Sequence, residues 1–214
     1  MFLKLLVLSN SKKDPDEPVY VTHFLEHGLD VFHLRKPDFS SREMEDYINQ
    51  IPARFWGNIV IHSHYHLVKK YNLLGIHLGK SKRRSWIFKK LRLPFMRITY
   101  PKLQVTTSFH HLASLYEETY PFDYVFLSPI FDSISKSGYQ SGFSHHNIGA
   151  AINRSHFKIM ALGGIEIDKL EYVKNSHFAG VVLSGILWQN ENKMEIYNNI
   201  RHKIIELNKD TEIV

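Results

Sequence analysis

The residues best suited to chemistry stand where short apolar runs end. His33-Leu34-Arg35-Lys36-Pro37 places an imidazole and a guanidinium at alternate positions. Side chains alternate along a strand, so His33 and Arg35 face one way while Leu34 packs the other. An imidazole beside a guanidinium, with Lys36 next in line, suits an anionic oxygen. Ile61-His62-Ser63-His64-Tyr65-His66 carries three histidines at alternate positions, which would line one face of an extended chain and suit zinc. His66, Leu67 and Lys70 fit an emerging helix instead, so a turn after Ser63 is expected to fan the rings apart. That leaves His62 as the ligand-facing residue and assigns no metal ligands. Thr106-Thr107-Ser108 gathers hydroxyls where a helix should begin, with Ser108 either an N-cap or a phosphate contact.

Two later runs, Met160-Ala161-Leu162-Gly163-Gly164-Ile165 and Val181-Val182-Leu183-Ser184-Gly185-Ile186, each end in a small glycine-containing turn before a helix-like segment. Glycine leaves backbone N–H groups uncovered and permits positive φ, and a following helix start adds further donors. A phosphate-bearing small molecule is the leading ligand class, with plain tight turns as the alternative. Residues 128–138 form a long segment whose Ser133, Ser135 and Lys136 have the makings of an anion clamp.

Elements that could position these groups follow a regular order. Strand candidates are residues 3–8, 31–34, 59–61, 75–78, 105–108, 124–127, 159–162 and 181–183. Most are separated by stretches that hold one helix, as parallel βαβ units require. Met44, Tyr47, Ile48 and Ile51 share one helical face, as do Leu112, Leu115 and Tyr116. Ser40 and Glu43 have capping-box spacing, and residues 194–207 form a closing amphipathic helix. Residues 12–18 read as loop. The expected fold is α/β, a single-domain (β/α)8 barrel over residues 1–214, in which the loops after strands 7 and 8 commonly bind phosphate.

Composition narrows the function classes. The chain has 214 residues, 43% hydrophobic and 13% aromatic, enough for a sizeable core. It lacks cysteine, which removes disulfides, thiolate zinc sites and thiol nucleophiles and suits the cytoplasm. The first apolar run is too short for a signal peptide, and no later run approaches a membrane span. Net charge is +6, densest over residues 80–92. No nucleic-acid motif accompanies that run, so it reads as an exposed helix face whose Trp86, Phe88 and Leu91 turn inward.

Taken together, several of these pieces resemble the thiamine phosphate synthase superfamily, which includes thiazole tautomerases of the TenI type. The matching pieces are His33-Leu34-Arg35, Gly75-Ile76-His77-Leu78-Gly79, Ser108-Phe109-His110, Asp123-Tyr124-Val125 with Ser128-Pro129-Ile130-Phe131, Ala161-Leu162-Gly163-Gly164-Ile165, and Ala179-Gly180-Val181 with Ser184-Gly185-Ile186. The resemblance implies a thiazole phosphate held by Gly163, Gly164, Ser184, Gly185 and Ile186. It also implies an aminopyrimidine methyl diphosphate whose pyrophosphate leaves with magnesium assistance against Arg35, Ser108, Ser133, Ser135 and Lys136. Both magnesium carboxylates of that pattern are absent, their places taken by His62-Ser63 and by Lys80-Ser81-Lys82. The acid/base histidine of the tautomerases is Pro129 here, while His33 matches their version of the strand 2 motif. Three functions follow: a synthase or tautomerase whose proton-transfer and anion-stabilising groups are redistributed among His33, His62, Arg35 and Lys36; a non-catalytic thiazole-phosphate protein with a regulatory role; or a nucleic-acid-binding barrel. The first class is preferred, with small-molecule partners, no nucleic acid, no membrane, and a homo-oligomer left open.

Overall fold

The computed structural model describes residues 2–131 and 145–209. Eight parallel strands follow one another in chain order around a closed barrel. They are β1 (Lys4–Leu8), β2 (Val31–Leu34), β3 (Ile59–Ile61), β4 (Gly75–Leu78), β5 (Gln104–Phe109), β6 (Tyr124–Leu127), β7 (Ile159–Leu162) and β8 (Gly180–Leu183). Each expected strand is present with its ends within one residue. The reason is chemical: strands such as Ile59-Val60-Ile61 and Val125-Phe126-Leu127 are buried on both faces, so they stand out as unbroken apolar runs.

By its contacts the chain divides into two compact units, Leu8–Ser108 and Met1–Val7 with Phe109–Val214. In the first, β2 to β5 pair in parallel, with His33 opposite Val60, Val60 opposite Gly75, and His77 opposite Thr106. The helix Ser41–Asn49 starts at a full capping box of Ser40 and Glu43 and buries Met44, Tyr47 and Ile48. The helix Glu17–Glu26 begins with Pro18 in its first turn, inside the stretch expected to be loop. In the second unit, β6, β7, β8 and β1 pair in parallel, with Leu127 opposite Ala161, Leu162 opposite Val182, and Leu6 opposite Val182. The closing helix Lys193–Lys209 buries Tyr197, Ile200 and Ile204 at three- and four-residue spacing. No helix among the described residues is long and apolar enough to cross a membrane.

Three local expectations are corrected. Phe88 turns inward, but Trp86 and Leu91 are 66% and 60% exposed. Residues Phe88–Arg92 form a π-helical turn, whose i→i+5 bonding brings Phe88 and Leu93, both buried, onto one side. The helix Ser114–Glu117 is a single turn that buries Leu115 and leaves Tyr116 exposed. Ser108 caps no helix, because β5 runs on through it to Phe109.

Candidate functional site

The carboxyl ends of β2 to β5 bring three imidazoles together. His33 is the third residue of β2, His77 the third of β4, and His62 follows β3 directly. His33 Nδ1 lies 3.0 Å from His62 Nε2, so one of the two carries the proton between them. The His62 and His77 rings stack, with centroids 4.1 Å apart and planes 12° from parallel. His77 is held at both ends: Nδ1 is 2.8 Å from the Thr106 hydroxyl and Nε2 is 2.9 Å from the Ser108 hydroxyl. Thr106 donates onward to the Ile76 carbonyl, so it accepts from His77 Nδ1–H. That leaves Nε2 as the basic nitrogen, accepting from Ser108. One ligand nitrogen from each histidine lies within 4.8 Å of the other two.

The surroundings keep these rings uncharged. Burial, then the charges of Arg35 and Arg83, push His77 down to about 3. His33 is pushed well below the usual imidazole value by burial and then by His77. His62, half-buried, is pushed down by burial and then by His77, His33 and Arg35. Three neutral imidazoles beside a cation offer lone pairs and N–H donors without adding positive charge.

Arg35 is exposed beyond the end of β2, and its charge acts on both His62 and His77, as expected from the alternation with His33. Its backbone is fixed by Ser9, whose hydroxyl accepts from the Arg35 N–H at 2.8 Å and donates to the Arg35 carbonyl at 2.9 Å. Lys36 is placed elsewhere. It is 1% exposed, and its ammonium is spent on the Glu17 carboxylate and on the Asn10 and Lys12 carbonyls at 2.8 Å each. No donor is left for a phosphate, so Lys36 does not serve as the anion contact that its position beside Arg35 suggested.

His64 and His66 diverge from His62, as the expected turn requires. His64 takes a positive φ of 52° and sets Nε2 2.9 Å from the Phe39 carbonyl. His66 Nε2 lies 3.0 Å from the Ser41 hydroxyl.

Gly163, Gly164, Ser184, Gly185 and Ile186 follow the adjacent parallel strands β7 and β8 and are all half-buried. Gly163 and Gly164 have φ of 98° and 63°, and a Cβ on Gly163 would stand 2.9 Å from Pro129 Cβ. Only glycine fits this turn without strain. Ser184 makes no side-chain cap hydrogen bond. Ser133, Ser135 and Lys136 lie outside the described residues.

Sequence reasoning gave no site role to His77, Arg83 or Tyr65, and met Thr106 only as one hydroxyl of the Thr106–Ser108 cluster. Arg83 Nη1 donates to the Ser108 carbonyl at 2.9 Å, and the hydroxyl of the half-buried Tyr65, pushed up to about 12, donates to the His77 carbonyl at 2.9 Å. His77 had a readable signal, since it occupies the same place in β4 as His33 does in β2, and alternate strands fill one layer of a barrel. Arg83 and Tyr65 had none, being separated from their partners by 25 and 12 residues.

Comparison with known proteins places the chain in a family and its fold among solved structures. The family model described as thiamine monophosphate synthase matches residues 5–186. A thiamine-phosphate synthase from Flavobacterium psychrophilum is 19% identical over 217 residues, covering 95% of this chain and 100% of its own. The crystal structure of a thiamine phosphate pyrophosphorylase from Bacteroides thetaiotaomicron superposes with a TM-score of 0.74 at 27% identity, covering 96% of this chain and 97% of its own. One from Pyrococcus furiosus gives 0.75 at 18% identity, covering 96% of each.

Proposed function

Since the chain belongs to the thiamine monophosphate synthase family, we propose that it binds a phosphorylated thiazole and joins it to an aminopyrimidine methyl diphosphate. The bond from the methylene carbon to the diphosphate oxygen breaks, pyrophosphate leaves with the electron pair, and the thiazole nitrogen bonds to the carbon. The observation that carries the reading is the pair of turns after β7 and β8. Gly163 and Gly164 keep their backbone bare in a left-handed conformation, and the Ser184 hydroxyl is uncommitted to capping. Such a turn exposes donors to a phosphate. Arg35 and Ser108 stabilise the negative charge that grows on the departing pyrophosphate. His62, reachable and neutral, meets the pyrimidine, and His33 positions it through their shared hydrogen bond.

Magnesium does not fit this donor set. From Asp46 to Glu117 no acidic residue occurs between, so β3, β4 and β5 present imidazoles, hydroxyls and cations but no carboxylate. Magnesium requires hard oxygen ligands, chiefly carboxylates and phosphates. No step of the proposed reaction is therefore assigned to it.

Calorimetric titration with thiazole phosphate tests the reading. Wild type should bind, and the double variant Gly164→Val/Ser184→Ala should lose binding while remaining folded by circular dichroism, because a β-branched side chain is strained at φ of 63° and covers the backbone donors. Equal affinity of the two folded proteins would overturn it. Supplying both substrates and following thiamine phosphate separates the transferase from a thiazole-phosphate-binding protein without turnover.

A further inference from the structure

We propose that His33, His62 and His77 form a binding site for a divalent transition metal of the zinc class. Three nitrogens, one from each ring, already lie within 4.8 Å of one another. Ligands around a tetrahedral zinc stand about 3.3 Å apart, given zinc–nitrogen bonds of about 2.0 Å. Binding therefore draws the nitrogens together and tilts His62 off the His77 ring. The cation takes the place of the proton now shared between His33 Nδ1 and His62 Nε2, and displaces the Ser108 hydroxyl from His77 Nε2.

Three further features point to a cation of this softness. His77 is oriented from behind by Thr106, in the way that metal-bound histidines hold their second nitrogen on an outer partner. Two of the nitrogens, His33 Nδ1 and His62 Nε2, already stand 3.0 Å apart, near the spacing of two ligands on one tetrahedral ion. With no acidic residue between Asp46 and Glu117, nitrogen is the donor these strands supply, which selects imidazole-binding metals over magnesium or calcium. Three protein ligands leave a fourth position for water or a substrate oxygen. The charges of Arg35 and Arg83 oppose a dication at His77, so affinity is set by the three nitrogens against that repulsion.

The test uses the full chain without a histidine tag, stripped by chelator and dialysed. Cobalt(II) should give the visible d–d bands of a low-coordinate nitrogen site at one equivalent. Zinc should abolish those bands and bind in calorimetry with the same stoichiometry, whereas magnesium should give no heat. His62→Ala should remove the bands; because His62 is half-buried, the fold should survive. His62→Gln, which keeps volume and a hydrogen bond, repeats the test should the alanine variant fail to fold. Thr106→Val should weaken zinc roughly 10- to 100-fold by freeing His77. His64→Ala and His66→Ala should change nothing. Absence of stoichiometric zinc or cobalt binding, or wild-type affinity in a folded His62 variant, would overturn the site. Every readout is taken without substrate, so this result and that of the thiazole titration stand or fall separately.

Discussion

Glu17 has no exposed surface, and its carboxylate takes the Asn10 backbone N–H at 2.8 Å and the Lys36 ammonium. Burial outweighs both favourable partners and raises its pKa from 4.5 to about 6. A raised carboxyl pKa means the folded state holds the proton longer than the unfolded chain. The stability this group contributes is thus complete below about pH 4.5 and lost as pH rises through 6. Between pH 4.5 and 7, urea unfolding should show wild type losing about 2 kcal/mol relative to Glu17→Gln. A gap that stays constant across that range would contradict the assignment. Lys36→Met, which strands the carboxylate, should cost about 3–5 kcal/mol at pH 7. The pair also shows why Lys36 was misread. Its neighbours in sequence, Arg35 and Pro37, give no hint of a partner at the start of the helix Glu17–Glu26, 19 residues away.

Among the elements, the strands were legible and the helix faces only partly so. A doubly buried strand needs nothing but unbroken apolar residues, whereas a helix face depends on the local turn geometry staying regular. Ser40 and Glu43 gave the start of the helix Ser41–Asn49 because a capping box is a local device. The spacing of Trp86, Phe88 and Leu91 failed because the π-helical turn at Phe88–Arg92 resets the phase, pairing Phe88 with Leu93 and turning Leu91 outward. Stability should follow the structure's assignment: Phe88→Ala should cost about 3–5 kcal/mol, and Leu91→Ala and Trp86→Ala no more than about 0.5 kcal/mol each, by thermal or urea unfolding. Equal losses at Phe88 and Leu91 would restore the regular helix. Similarly, the hydroxyl cluster at Ser108 allows either an N-cap or a phosphate contact, and the structure removes the first. The strand continues one residue beyond Ser108, to Phe109, so no helix begins there, and the Ser108 hydroxyl meets His77 instead.

Across the whole chain a net charge of +6 is distributed unevenly, and the unbroken absence of acidic residues between Asp46 and Glu117 covers β3, β4 and β5. His77 and Ser108 stand on β4 and β5 and His62 directly follows β3, and Arg35 acts on both histidines. Such a region attracts polyanions and has no carboxylate with which to hold a magnesium–anion complex. Pyrophosphate should accordingly bind more tightly without magnesium than with it, because the metal cancels part of the anion's charge and gains no ligand from the protein. Arg35→Ala should weaken metal-free pyrophosphate about tenfold or more, the loss of a hydrogen bond to a charged group, and should flatten the decline of affinity with added salt. Arg35 is exposed, so the fold should tolerate the change. Thiamine phosphate formation, followed over a magnesium series, should not rise with the metal. Tighter pyrophosphate binding in magnesium, or turnover that depends on it, would show that carboxylates outside residues 47–116 supply the ligands, and would return the chain to the metal chemistry that its family resemblance implies.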